Sequence, residues 1–133
     1  MHIELIRDPA LLASCLDACR ELSPTPMQSP EWMLAWWRAY ATPAMQLHTP
    51  IVRSNDGQVV GLAPLYRRES WGVGPSLRLL GSGQVCSDFQ SILSRAGHAD
   101  DVSQKVAQWL IDSLSADDGA RRWGVCEFDG VSP

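Results

Sequence analysis

One polar cluster stands between apolar stretches of the chain and has residue types that could line a ligand site. It combines the turn Gly81-Ser82-Gly83 with the segment Ser87-Asp88-Phe89. We expect the loop to present Ser82, Ser87 and Asp88 into a cleft. The alternative is a flexible strand connection in which the Asp88 carboxylate caps local backbone amides, as aspartate commonly does in turns. The residues alone leave both hypotheses open.

Two neighbouring arginines could contribute a second kind of chemistry. Arg67 and Arg68 directly follow Tyr66, and their guanidinium groups could hold an anionic group. Exposed arginine pairs also occur at solvated hairpin ends, so both explanations stay open. The chain contains no Gly-x-x-x-x-Gly-Lys phosphate loop, no His-Glu-x-x-His zinc motif and no Gly-x-Ser-x-Gly nucleophile elbow.

The four cysteines do not form a pattern typical of a metal site. Cys15 and Cys19 fall on the apolar face of a predicted helix. Cys86 lies beside the glycine-serine turn, and Cys126 lies in a short apolar stretch. No Cys-x-x-Cys pair occurs, and the histidines show no ligand spacing relative to the cysteines. We therefore predict no metal site and expect buried thiols in a reducing, cytoplasmic environment.

The helix with the largest apolar content is predicted over residues 30–41. Ser29-Pro30 supplies an N-cap followed by proline at the first helical position. One face of this helix carries large aromatic side chains, namely Trp32, Trp36 and Tyr40, with Trp37 at the margin. Core packing is one explanation of this stripe, and a wall for a ligand or partner is the other.

The remaining pattern predicts short strands and two further helices. The helices begin at Asp8-Pro9 and at Ala99, and the second runs to Ser115. Pro50 implies an edge position or a bulge in its strand, and Asn55-Asp56-Gly57 predicts a hairpin turn. Strands are predicted over residues 2–6, 45–54, 58–66, 76–80, 88–93 and 124–128. The order is β-α-α-β-β-(β)-β-α-β, an α/β (α+β) fold with a mixed, largely antiparallel sheet flanked by helices.

Length and composition restrict the class of protein. With 133 residues, of which 45% are hydrophobic and 20% charged, the chain suits one folded domain. The net charge of −4 and the scattered arginines argue against a nucleic-acid-binding face. The apolar runs are too short to span a bilayer, and the first residues do not resemble a signal peptide.

Three motifs, taken in order, carry a resemblance to a known family. They are Gln28-Ser29-Pro30-Glu31-Trp32-Met33-Leu34-Ala35-Trp36-Trp37, Gly61-Leu62-Ala63-Pro64-Leu65-Tyr66, and Leu79-Leu80-Gly81-Ser82-Gly83 with Ser87-Asp88-Phe89. Together they resemble the N-terminal part of the CelD-type acetyltransferases, named for a link to bacterial cellulose biosynthesis. That family belongs to the GNAT superfamily of acyl-CoA-dependent N-acyltransferases. The resemblance covers the chain from its first helix to Phe128.

The resemblance implies a GNAT-like domain over residues 1–133 within a larger protein of two such units. The acetyltransferase signature would lie in the C-terminal unit. In a GNAT unit the acyl-CoA is held between splayed fourth and fifth strands, which would be residues 88–93 and 124–128 here. A final helix and two strands of the GNAT scheme would then be missing unless another chain supplies them. The implied partners are the C-terminal unit and a small-molecule or sugar-linked acceptor. A homodimer through an exposed sheet edge is also possible.

The cofactor implied by the resemblance is acetyl-CoA or another acyl-CoA. GNAT enzymes place an Arg/Gln-x-x-Gly-x-Gly/Ala loop before the third helix, where backbone amides receive the pyrophosphate. Gly97 and Ala99 match the last two positions of this motif. Ser94 replaces the Arg/Gln, and Arg95 stands one position late.

Two acidic residues follow this loop. Asp100 and Asp101 occupy the first turn of the predicted helix, where they would repel a pyrophosphate. Together with the altered motif, they favour a degenerate loop that no longer binds CoA.

Two hypotheses about function follow. In the first, the chain is the substrate-recognition or scaffold half of an acyl-CoA-dependent N- or O-acyltransferase, and the isolated piece is inactive. Asp88 would be the general base for the acceptor, and the substrate cleft would include Ser82, Ser87, Tyr66 and Trp36. In the second, the chain is a non-catalytic carbohydrate- or protein-binding module on the same fold, an idea favoured by its tryptophan density.

Overall fold

Strands and helices follow one another along the chain in an order typical of mixed α+β folds. The computed structural model describes residues 1–22, 29–69, 72, 74–81, 91–114 and 122–128. Within these ranges the elements are β1 (His2–Ile6), α1 (Pro9–Arg20), α2 (Pro30–Tyr40), β2 (Met45–Leu47), β3 (Thr49–Arg53), β4 (Val59–Leu62), β5 (Leu65–Arg68), β6 (Ser76–Leu79), β7 (Leu93–Ser94), α3 (Ala99–Leu114) and β8 (Val125–Glu127). The predicted fold class is confirmed.

The first two helices begin at the caps that the sequence predicts. The Ala10 N–H donates to Asp8 Oδ1 over 2.9 Å, at the start of α1. The Trp32 N–H donates to Ser29 Oγ over 3.3 Å, at the start of α2. Each cap satisfies a backbone donor that has no partner within its helix.

The described strands form two four-stranded sheets, whereas the sequence predicts one sheet. Sheet A has the order β1-β3-β4-β7, and all of its neighbouring strands are antiparallel. Sheet B has the order β2-β5-β6-β8, in which β6 and β8 are parallel and the other pairs antiparallel. The prediction of a largely antiparallel arrangement is therefore confirmed.

The two sheets share one long hairpin. The predicted strand over residues 45–54 divides at His48 into β2 of sheet B and β3 of sheet A. The predicted strand over residues 58–66 divides at Ala63-Pro64 into β4 of sheet A and β5 of sheet B. At this level the His48 N–H donates to the Leu65 carbonyl over 3.1 Å. Both strands of the hairpin therefore change sheet at the same level.

Pro50 lies in an interior strand, so of the two predicted alternatives, an edge position or a bulge, the edge position is wrong. Its strand β3 is flanked by β1 and β4, and the irregular register falls between Val52 and Arg53. Proline is tolerated here because β4 ends at Leu62. Beyond that residue, the pairing of β3 with β4 requires no hydrogen bond from a backbone N–H at position 50. The Ala63 N–H donates to the Pro50 carbonyl over 3.1 Å, and the Ala63 carbonyl already accepts another backbone N–H over 2.8 Å.

The segment that leads into α3 contains the shortest described strand. The predicted strand over residues 88–93 overlaps β7 only at Leu93, and residues 88–90 lie outside the described part of the chain. β7 pairs with β4, with Ser94 opposite Gly61. The predicted third helix and last strand agree with α3 and β8 to within a residue or two at each end.

Helices cover both faces of the sheets. One core cluster joins residues of α1 and α2, such as Leu12 and Trp36, to strand residues such as Ile51. The other joins Val102 and Val106 of α3 to the opposite strand faces. No helix in the described ranges has the length and apolar character needed to cross a membrane.

Candidate functional site

The strands on either side of α3 belong to different sheets. β7, which precedes the helix, pairs with β4 of sheet A. β8, which follows the helix, pairs in parallel with β6 of sheet B, and this places Ser76 opposite Val125 and Arg78 opposite Glu127. The chain therefore passes from β7 in sheet A through α3 to β8 in sheet B.

A tight turn connects β7 to α3. The His98 N–H donates to the Arg95 carbonyl over 3.0 Å, and the Arg95 N–H donates to the Val60 carbonyl of β4 over 2.8 Å. Gly97 has a φ of 82°, a left-handed conformation that glycine adopts without strain. Ala99 is the first residue of α3. Gly97 and Ala99 thus lie in the loop and helix start where the sequence predicts them.

The Arg95 side chain is engaged with partners outside the turn. Its Nη1 donates to Gln58 Oε1 over 3.0 Å, and its Nη2 lies 3.8 Å from Glu21 Oε2. Neither partner is predictable from the local sequence, because both are distant along the chain. Asp100 and Asp101 are exposed in the first turn of α3. The charge at this helix terminus is therefore set by two carboxylates.

A polar surface groove of about 410 Å³ lies between this turn and the hairpin turn of β3 and β4. Its lining includes Asp56, Gln58, Arg95 and His98. The pKa of Asp56 is lowered, chiefly by the hydrogen bond from the Ser54 hydroxyl and then by the Gln58 backbone N–H. The groove thus holds an ionised carboxylate together with the Arg95 guanidinium.

Trp36 and Tyr66, two of the predicted cleft residues, lie together in the core. Trp36 is 6% exposed and Tyr66 is 3% exposed, and their ring centroids are 5.3 Å apart. The Tyr40 ring lies 5.5 Å from that of Trp36. Among the described residues, the Trp36 Nε1 finds no hydrogen-bond partner. With its ring packed in this way, Trp36 has no open face on which a sugar could stack.

The site residues predicted in the loop over residues 81–89 are not among those that the structure describes. Ser82, Ser87 and Asp88 lie outside the described residues. The predicted general base and two of the cleft candidates therefore remain predictions.

The arginine pair Arg67-Arg68 is divided between the two faces of sheet B. The Arg67 Nε donates to the Arg122 carbonyl over 3.1 Å, and its Nη1 lies 2.7 Å from Glu69 Oε1. Arg68 is exposed, and its direct cross-strand partner is Ser76. Alternation along the strand therefore places Arg68 on the face that carries Tyr66.

A second arginine on that face is absent from the sequence hypotheses. Arg78 of β6 forms an ion pair with Glu127 of β8, with 3.0 Å between Nη2 and Oε2. Arg78 stands between the buried residues Leu77 and Leu79. That alternation could have marked it as a residue of the opposite face, but nothing local indicates Glu127 as its partner.

Two cysteine side chains lie within the described part of the chain. Cys15 and Cys126 are free thiols and are half-buried. Burial raises the pKa of the Cys126 thiol to about 11. No group of three or more potential metal ligands occurs within the described ranges.

No family model matches this chain, and no curated protein sequence matches it.

Proposed function

We propose that this chain is a GNAT-like unit of an acyl-CoA-dependent N- or O-acyltransferase. One observation carries the proposal: β7 and β8, the strands on either side of α3, lie in different sheets. In the GNAT superfamily, which the sequence resembles, the acyl donor is held where the fourth and fifth strands splay apart. The separation of β7 from β8 supports a corresponding opening at the start of α3.

Within such an enzyme the chain serves substrate recognition or scaffolding and does not bind the cofactor itself. Three features of the turn before α3 support this part of the proposal. Ser94 replaces the expected Arg/Gln, the Arg95 guanidinium is engaged with Gln58 and Glu21, and two exposed carboxylates follow. A helix N-terminus attracts anions, but Asp100 and Asp101 already occupy that field.

Isothermal titration with acetyl-CoA tests the proposal. We expect no saturable heat from the unmodified chain at ligand concentrations up to the order of 1 mM. We expect the triple variant Ser94→Arg, Asp100→Asn, Asp101→Asn to gain saturable binding, because it restores the motif and removes the repulsion. Asp112→Asn, which removes one charge near the other end of α3, is the matched control and should gain none.

The two parts of the proposal fail in different ways. Micromolar binding by the unmodified chain would overturn the recognition or scaffold role and would favour a cofactor-binding unit. A triple variant that folds but binds no acetyl-CoA would remove the support for a GNAT-like opening.

The proposal also includes a second GNAT-like unit that carries the acetyltransferase signature. The coding region downstream of codon 133 tests this part. A reading frame that continues into such a unit would support it, whereas a stop codon with no adjacent GNAT-like frame would count against it.

A further inference from the structure

A row of directly paired residues crosses sheet B on the face next to α2. It runs through Leu47, Tyr66, Arg78 and Glu127, one residue from each strand. Leu47 and Tyr66 are buried, whereas Arg78 is partly exposed and Glu127 is exposed. In this row the residues of β6 and β8 are therefore charged, whereas those of β2 and β5 are part of the core.

The Arg78 guanidinium is only partly satisfied. One bond joins its Nη2 to Glu127 Oε2 over 3.0 Å, and the Nε is buried with no hydrogen-bond partner among the described residues. A guanidinium has five N–H donors, and leaving a buried donor unpaired is costly. An unpaired donor of this kind in a folded protein calls for an explanation, such as a bound ion or ligand.

The Arg53–Glu4 pair of sheet A contains an arginine whose three guanidinium nitrogens each have a partner. Its side chains are 25% and 46% exposed, close to the 29% and 45% of Arg78 and Glu127. The Arg53 Nε donates to Glu4 over 2.7 Å, its Nη1 to the Gly57 carbonyl over 3.0 Å, and its Nη2 lies 3.8 Å from Cys15 Sγ. At similar exposure, the Arg53 Nε thus has a partner and the Arg78 Nε has none among the described residues, a condition that Arg78 shares with the Arg95 Nε.

A second arginine lies near Arg78 on the same face of sheet B. Arg68 pairs directly with Ser76, which lies two residues before Arg78 on β6, so Arg68 and Arg78 are diagonal neighbours on one face. Diagonal neighbours in antiparallel strands have Cα atoms about 7–8 Å apart. Among the described strand residues of this face, Arg68 and Arg78 are positively charged and Glu127 is negatively charged. The local charge favours an anion.

We propose that Arg78 binds an oxyanion group, a carboxylate or a phosphate, on the sheet B face next to α2. The ligand pairs with the donors of Arg78 that Glu127 leaves unused, once the side chain rotates and exposes its buried Nε, because a guanidinium matches two oxygens of one oxyanion. Arg68 attracts the same group from the neighbouring strand. Glu127 competes with the ligand and holds the Arg78 side chain in place when the site is empty. The site requires no acyl donor and stands independently of the proposed function.

NMR spectra of the arginine Nε–Hε groups test this site directly. The whole chain is titrated with sodium acetate and, separately, with inorganic phosphate, at constant ionic strength set with sodium chloride. We expect the Arg78 signal, assigned by its loss in Arg78→Gln, to shift and saturate with a dissociation constant on the order of 1–10 mM. The Arg53 signal should stay in place. Saturation by only one probe would assign the site to that anion.

Variants separate a specific site from general attraction between charges. Glu127→Gln should bind the probe about threefold more tightly or better, since it removes a competing negative charge. Arg78→Lys keeps the charge but loses the paired donors, so it should bind at least about threefold more weakly. Because this variant lacks the Arg78 Nε–Hε group, its affinity is followed through the backbone amide signals of β6. Arg53→Gln is the matched control and should leave the affinity unchanged.

The inference is overturned if neither probe gives a saturating shift, or if Arg53 and Arg78 shift alike. Unchanged affinity in Arg78→Lys would also overturn it. Because Glu127→Gln and Arg78→Lys keep side chains of similar size, the test stands even where Arg78→Gln fails to fold.

Discussion

Gly61 of β4 and Val102 of α3 pack so closely that no side chain fits between them. A Cβ placed on Gly61 would lie 2.4 Å from Val102 Cγ1 and 2.9 Å from the Leu93 carbonyl oxygen. Carbon atoms in contact normally stay about 3.5–4.0 Å apart. The missing side chain of Gly61 therefore lets α3, and the turn before it, lie directly on sheet A.

Replacing Gly61 with alanine should move α3 away from β4. We expect Gly61→Ala to lower the free energy of unfolding by about 1–3 kcal/mol, the usual cost of overpacking. Urea denaturation measures this change. The double variant Gly61→Ala, Val102→Ala should recover part of the loss relative to Val102→Ala alone. The recovery stays partial, because the Leu93 carbonyl is backbone and remains in place. Purely additive effects would contradict the contact.

The two aspartates at the start of α3 should stabilise the helix even though they oppose anion binding. Asp100→Asn with Asp101→Asn should cost about 1 kcal/mol of stability at low salt, because carboxylates in a first turn interact favourably with the helix dipole. The loss should shrink as salt is added. Asp112→Asn, near the other end of α3, should change stability by no more than about 0.5 kcal/mol. Equal effects at both ends would argue against the dipole explanation.

Trp36 should act as a core residue rather than as a ligand platform. We expect Trp36→Ala to lower the free energy of unfolding by about 3–5 kcal/mol, as for other large aromatic truncations in cores. Trp36→Phe should cost less, since it keeps much of the aromatic side chain and removes an indole N–H that has no partner among the described residues. The fluorescence contributed by Trp36 is the difference between the wild type and Trp36→Phe. Glycans should leave this difference unchanged. A saturable change in that difference would revive the carbohydrate-binding hypothesis.

Alkylation of Cys126 should depend on pH in a way set by its burial. Its pKa is about 11 in the folded chain against an ordinary value of 9.0, so the thiolate is scarce at neutral pH. Iodoacetamide labelling of the Cys126 peptide, followed by mass spectrometry, should rise steeply only between pH 9 and 11. In urea the same peptide should react readily near pH 9.

The sign of the linked stability follows from the same shift. Folding favours the neutral thiol, so this contribution is complete below the unfolded pKa of 9.0 and is lost as the pH rises through about 11. Cys126→Ala should remove that part of the alkaline loss of stability. Rapid labelling of the folded chain at pH 8 would contradict the burial of the thiol.

Features with local causes could be predicted from the sequence. Asp8 and Ser29 begin helices because their side chains accept hydrogen bonds from amides two or three residues later. The Asn55-Asp56-Gly57 turn is equally local, and Gly57 has the expected positive φ of 84°. Such interactions need no knowledge of the rest of the fold.

Features set by distant pairing could not be predicted. The pattern around His48 and Pro64 alternates in the same way whether the strand stays in one sheet or changes to another. The interior position of Pro50 depends on where β4 ends, which is a property of the partner strand. For the same reason Arg67 and Arg68 looked like one anion-binding pair, although alternation along β5 sends them to opposite faces.

The shared hairpin couples the orientations of the two sheets. Both of its strands pass from one sheet to the other at one level, at His48 on one strand and at Ala63-Pro64 on the other. A change in the angle between the sheets must therefore bend both strands at this position. The ring of Pro64 restricts its φ to about −65° and so stiffens the second strand of the hairpin where it changes sheet. The hairpin backbone thus limits changes in the angle between the two sheets.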